Sequence, residues 1–273
     1  MSIFTPTEIT DNYVKASVGK AASPAWRLFV LGIAAGLLIG LGAGASSTAA
    51  HALADTGMVR LVSGLVFPLG LIMVILLGAE LFTGNALMVT AVMAGEITWG
   101  RLARNWVIVY VGNFVGAVAL AALMAFFGQL DIGGGALAAY TAKVAASKAS
   151  LAWPNAFVLG IFCNLMVCIA VYLGNTAQDT AGRILGIFVP IMGFVTAGFE
   201  HCVANMYYIP AGIFAAMNPA YAGAIADLGV NTAVLNFGTF ITANLIPVTL
   251  GNIVGGVIVG VVMYACHATR KAK

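Results

Sequence analysis

Gly78-Ala79-Glu80-Leu81-Phe82-Thr83-Gly84-Asn85 sets a carboxylate, a hydroxyl, a glycine and an amide inside a run that is otherwise apolar. A second stretch repeats the frame. In Gly198-Phe199-Glu200-His201-Cys202-Val203-Ala204-Asn205, Glu again follows Gly by two positions, and Asn follows Glu by five. Both stretches lie in segments apolar enough to cross a bilayer. Paired breaks in corresponding halves of a membrane chain are the best sequence-level pointer to a transport site.

The composition around these breaks excludes a soluble protein. Of 273 residues, 62% are hydrophobic and 8% charged, where soluble domains carry about 25% charged residues. Six apolar segments, at about 28–50, 60–93, 105–127, 155–175, 184–215 and 236–265, each reach the ~20 residues a helix needs to span hydrocarbon. The second and fifth are too long for one straight span, and they carry the two breaks. The reading is an all-α membrane protein of six transmembrane helices, with one channel domain over the whole chain. Residues 1–27 are a cytoplasmic N-terminal helix, 28–127 a first repeat and 128–154 an external connector with a short helix on the outer face. Residues 155–265 are an inverted second repeat and 266–273 a cytoplasmic tail.

Charge fixes the orientation. With both termini inside, the inner segments hold Lys15, Lys20, Arg27, Arg101, Arg104, Arg183, Arg270, Lys271 and Lys273, against Arg60, Lys143 and Lys148 outside. The net charge of +3 is no nucleic-acid signature, because the cations cluster at segment ends. The first 25 residues are polar and lack the apolar core of a signal peptide. Cys163, Cys168, Cys202 and Cys266 form no C-x-x-C pair and read as small packing residues.

The repeat extends past the breaks. Gly112-Asn113-Phe114-Val115-Gly116-Ala117-Val118 in segment three matches Gly251-Asn252-Ile253-Val254-Gly255-Gly256-Val257 in segment six. Small residues four apart let helix backbones approach closely in lipid. Three spans is an odd number, so the second copy is inverted, and both broken segments meet near the midplane.

Three ionisable residues lie deep in apolar sequence: Glu80, Glu200 and His201. A charge at mid-bilayer costs roughly 2.5–3.5 kcal/mol on insertion scales, so all three must face the protein interior. Glu80 and Glu200 each precede a half-helix, where a carboxylate accepts backbone N–H bonds. Asn85 and Asn205 can tie the loops down. The expectation for these four is scaffolding. His201 sits in the break itself, across from Thr83. Imidazole donates to anions and, with an unperturbed pKa near 6.5, exchanges protons near neutral pH. No buried Lys or Arg is apparent, so the site suits rapid passage of a small anion or its neutral acid over tight storage.

These residues resemble a known family. The frames Glu80-Leu81-Phe82-Thr83-Gly84-Asn85, Phe199-Glu200-His201-Cys202-Val203-Ala204-Asn205-Met206 and Asn244-Leu245-Ile246-Pro247-Val248-Thr249-Leu250-Gly251-Asn252, with Cys163-Asn164, are similar to the formate/nitrite transporters over essentially the whole chain. The resemblance implies a homopentamer of aquaporin-like protomers in a bacterial cytoplasmic membrane, each with its own pore. It implies no cofactor. The substrate class is a small monovalent anion of a weak acid, formate first, with nitrite and hydrosulfide as alternatives. His201 matches the family's central histidine, Thr83 the loop threonine and Lys148 the vestibule lysine. Asn164 and Asn252 match polar pore-lining positions. Phe67, Leu71, Leu81, Phe82 and Phe194 match its apolar constrictions.

Two readings from other classes are weaker. A water or small neutral solute channel is suggested by Asn218-Pro219-Ala220, which occurs once, in a loop, with no partner in the first half. An intramembrane enzyme using Glu200, His201 and Cys202 is excluded, because adjacent residues point in different directions. There is also no metal-ligand spacing and no nucleotide loop.

Overall fold

The computed structural model describes residues 3–269. Helix α1 (Pro6–Ala22) starts at a capping box, in which the Thr5 hydroxyl accepts from the Glu8 N–H while Glu8 accepts from the Thr5 N–H. Ser23-Pro24 ends it, and α2 (Ala25–Ala50) follows. The first broken segment comprises α3 (Thr56–Val66), α4 (Leu69–Leu76), α5 (Phe82–Asn85) and α6 (Val89–Met93). Pro68, which has no N–H to donate, divides α3 from α4. Then come α7 (Trp99–Phe126), α8 (Ala136–Ala149) and α9 (Trp153–Gly174). The second broken segment is α10 (Thr180–Ala197) and α11 (Cys202–Met217). Short α12 (Ala222–Asp227) and α13 (Phe237–Thr239) precede a π-helical stretch, Phe240–Leu245, which runs into α14 (Ile246–His267). Six of these helices, counting joined pieces together, are long and apolar enough to cross a membrane.

The expected inverted repeat is present. Helix α2 packs along α7 as α9 packs along α14, and the shared Gly-Asn-x-Val-Gly frames lie at both crossings. A Cβ on Gly116 would collide with the Ile33 carbonyl, and one on Gly255 with the Ile161 carbonyl. Glycine is required there by the close approach of two backbones.

Helix α8 differs from the surface helix expected of the connector. Leu137, Ala138, Ala142 and Ala145 are fully packed, and Ala145 faces Gly212 of α11. Its alanines keep α8 thin enough to sink against α11. Thr269 donates its N–H to Asp11 of α1 at 3.1 Å, so the last described residues pack on the N-terminal helix. Arg270, Lys271 and Lys273 of the charge tally, and most of the tail, fall outside the described residues.

Candidate functional site: two broken helices facing each other

Each break begins at a glycine with positive φ, Gly78 at 70° and Gly198 at 78°, a conformation that costs an L-residue roughly 1–2 kcal/mol. The freed backbone groups are then clamped by one asparagine per repeat. Asn113 Oδ1 accepts the Phe82 N–H at 2.9 Å, and its amide donates to the carbonyls of Gly32 at 2.8 Å and Glu80 at 2.9 Å. Asn252 does the same. It accepts the Cys202 N–H at 2.9 Å and donates to Gly160 at 2.7 Å and Glu200 at 3.0 Å. Non-helical backbone at membrane depth is tolerated only where protein satisfies it.

The two carboxylates are held differently from expectation. Glu80 accepts from Asn85 Nδ2 at 2.6 Å and from Lys20 Nζ at 2.9 Å, and Lys20 also reaches Asn85 Oδ1 at 2.9 Å. Glu200 accepts from Asn205 Nδ2 at 2.6 Å, Lys148 Nζ at 2.7 Å and Asn244 Nδ2 at 3.3 Å. Side-chain amides and an ammonium replace the backbone N–H partners. The expectation that no cation reaches the interior is also corrected, since Lys20 and Lys148 keep only 25% and 17% of their side-chain surface exposed. Tertiary packing brings them in, Lys20 from α1 and Lys148 from α8.

Between the breaks, Thr83 Oγ1 and His201 Nε2 lie 2.8 Å apart. His201 is 3% exposed, and its other nitrogen, Nδ1, accepts the Ala204 N–H at 3.2 Å as the N-cap of α11. A backbone N–H only donates, so Nδ1 is unprotonated and neutral His201 carries its proton on Nε2. Nε2–H therefore donates to Thr83, whose own hydroxyl proton is left to point elsewhere.

His201 also borders a cavity of about 10 Å³ with Phe67, Leu71, Leu81, Ile191 and Phe194, room for about one water. Phe67 and Phe194 meet edge to face at 5.6 Å. A second cavity of about 450 Å³ opens on the α1 side, lined among others by Tyr13, Lys20, Glu80 and Arg183. Leu71 and Leu81 border both cavities and part them.

A profile of the family described as Formate/nitrite transporter matches residues 7–266. The chain belongs to the formate/nitrite transporter family. It is 43% identical to "Formate channel FocA" of Haemophilus influenzae over 93% of this chain and 91% of that one. To the Escherichia coli K12 protein of the same name it is 37% identical, over 93% and 90%. A solved "Pentameric formate channel with formate bound" superposes with a TM-score of 0.78 at 36% identity, covering 88% of this chain and 96% of that one. An "FNT family ion channel" gives 0.81 at 28%, covering 95% and 98%.

In this formate/nitrite transporter, His201, Phe67, Leu71, Leu81 and Phe194 converge on one cavity, and Thr83 joins them through His201. Phe82 does not. Its ring packs against Tyr110 at 4.8 Å and Trp106 at 6.1 Å. Asn252 was expected along the pathway; its amide donates to the carbonyls of Gly160 and Glu200, and its Oδ1 accepts the Cys202 N–H. Asn164 is likewise engaged, donating to the carbonyls of Thr83 at 3.2 Å and Asn252 at 2.6 Å. Lys148 was expected as a vestibule cation, and its ammonium donates to Glu200 at 2.7 Å. Asn113 and Lys20 were not anticipated as site residues. The repeat frame could have revealed Asn113 as the counterpart of Asn252, whereas nothing local marks Lys20.

Proposed function

We propose that this chain is a formate channel, assembled as a homopentamer with a pore through each protomer. It sits in a bacterial cytoplasmic membrane with both termini cytoplasmic, so the 450 Å³ cavity opens inward and α8 covers the outer side. The names and the pentameric state of its relatives support this, as does the excess of cations in the inner segments. The observation that carries the reading is the Thr83–His201 pair, 2.8 Å apart, set between an apolar constriction of Phe67 and Phe194 and another of Leu71 and Leu81.

Desolvating an ion in such constrictions costs far more than desolvating its neutral acid. The pair supplies the one polar station between them. An anion arriving there meets the Thr83 hydroxyl and, with a small displacement, the Nε2–H of His201. A neutral imidazole cannot give its last proton to so weak a base as formate, so the transfer runs through His201 as imidazolium, with Nδ1 released from the Ala204 N–H and protonated. Nε2 then passes its proton to formate, which crosses as formic acid, and neutral imidazole remains. Neutral His201 is recharged by a proton from the acidic side, and the formic acid ionises on the far side. Nothing in the lining distinguishes formate from nitrite by size, and both remain substrates under this reading.

Flux of formate, nitrite and hydrosulfide into proteoliposomes, compared across pH, tests the proposal. Formate uptake that rises with acidity, and loses that rise in His201→Asn, is expected. Equal flux and an unaltered pH profile in His201→Asn would remove the proton transfer and leave His201 as a fixed donor.

A further inference from the structure

Two arginines lie on the broken segments, apart from the paired lysines. A buried stripe of the first broken segment runs through Gly64, Phe67, Leu71 and Val74, and its Phe67 and Leu71 border the central cavity. Arg60 begins that stripe, seven residues before Phe67, which places it on the same helix face about 10 Å further out. Helix α3 packs along α10, and the Arg60 guanidinium lies directly over Gly198, where a Cβ would collide with its Nη1. The Gly198 N–H bonds the Phe194 carbonyl, so the guanidinium sits one turn beyond the Phe67–Phe194 constriction. Arg60 is exposed, and no protein acceptor holds its guanidinium among the described residues.

The second broken segment repeats the arrangement at the other mouth. Arg183 begins the stripe Ile187, Ile191, Phe194 on α10 and lines the 450 Å³ cavity. One of its donors reaches Asn175 Oδ1 at 3.3 Å, leaving the rest of the fork to the cavity.

The lysines cannot serve as well. Lys20 and Lys148 are each paired with a carboxylate, so those sites add no net charge to either mouth. Arg60 and Arg183 keep theirs. A guanidinium also presents two parallel N–H donors that match a planar anion with two oxygens, whereas an anion with one acceptor atom takes both only along bent, less favourable lines.

We propose that Arg60 and Arg183 are docking residues, one at each mouth, that favour a two-oxygen planar anion over hydrosulfide. This rests on the anion-channel reading above and adds to it the residues that select the anion. The Arg60 charge also lies near the carbonyl end of α10, where any cation in its place would be favoured by the helix dipole.

The test is the ratio of formate to hydrosulfide flux at low concentration in proteoliposomes of the full chain. A ratio is independent of how much protein is correctly assembled. Random insertion orientation is met by changing both mouths at once. In R60K/R183K, which keeps charge and removes the fork, the ratio should fall about fivefold or more. In R60Q/R183Q both fluxes should fall, formate the further. An unchanged ratio in R60K/R183K overturns the docking role while parental flux of formate leaves the channel reading standing. A parent protein that passes neither anion sinks both. Should the double variant fail to assemble, single R60K and R183K are read by the same ratio, each expected to lower it.

Discussion

At the residue scale, the site is built from polar groups that each answer one buried need. Glu200 is the sharpest case, since its carboxylate is 5% exposed and depends on Lys148 for charge. Removing one member of a buried ion pair typically costs about 3–5 kcal/mol, because the other charge is stranded. Partial exposure of Lys148 places this pair toward the lower end of that range. Lys148→Met should therefore lower the thermal midpoint of the solubilised protein, and adding Glu200→Gln should recover most of the loss. Additive losses in the double variant would show that the two side chains do not act as a pair. Thr83 offers a second prediction. Thr83→Ser keeps the hydroxyl that meets Nε2 and should retain formate flux, whereas isosteric Thr83→Val should lower it about tenfold or more, since a buried donor is left unpaired. Equal flux from the two variants would exclude the hydroxyl from the pathway.

At the element scale, the helices obey two separate glycine rules, and substitution distinguishes them. Gly36 lies where a Cβ would strike the Asn113 backbone carbonyl, at the α2–α7 crossing that also carries the loop clamp. Gly36→Ala should destabilise by about 1–3 kcal/mol, as overpacking does, and should disturb the break through Asn113. Gly78 has open space around its Cα and a φ of 70°. Gly78→Ala should cost only the backbone strain of about 1–2 kcal/mol, with pore geometry intact. Chemical denaturation of both variants beside flux separates the two outcomes: flux loss belongs to Gly36→Ala alone. Helix α1 is the other element with a decisive role. It brings the Tyr13 hydroxyl to the Gly84 carbonyl at 2.9 Å and Lys20 to Glu80. A chain lacking residues 1–22 should pass formate more slowly, because a bare carboxylate faces the inner cavity. Glu80→Gln in that truncated chain should restore flux. If it does not, α1 acts by packing and its charge is irrelevant.

At the scale of the whole molecule, a two-fold relation organises the scaffold and is broken at the centre. Gly78 answers Gly198, Glu80 answers Glu200, Asn85 answers Asn205, and Asn113 answers Asn252. In the same register Leu81 answers His201 and Thr83 answers Val203. The pair that meets at the midplane, Thr83 with His201, is thus not a symmetric pair. One loop gives up an apolar residue for an imidazole, the other gives up one for a hydroxyl, and the two substitutions find each other across the pseudo-axis. The ion pairs break the symmetry too, with one lysine on a terminal helix and the other on a helix from the connector.

Much of this was legible in the sequence. Six spans, their inversion, the two breaks and the identity of His201 and Thr83 follow from hydropathy, an odd number of spans per repeat, and the few polar groups hydrocarbon would otherwise punish. Those signals are local, being written in residue type and spacing along one segment. Tertiary structure decided the rest. It packed Phe82 against Tyr110 and Trp106, engaged the amides of Asn164 and Asn252 with backbone carbonyls, and paired Lys148 with Glu200. It also carried Lys20 to Glu80, 60 residues along the chain, and stacked Arg60 over Gly198. Which polar group satisfies which is set by the directions of hydrogen bonds and by where packed helices cross. Neither is encoded in any single segment, because each contact needs two elements placed by the whole fold.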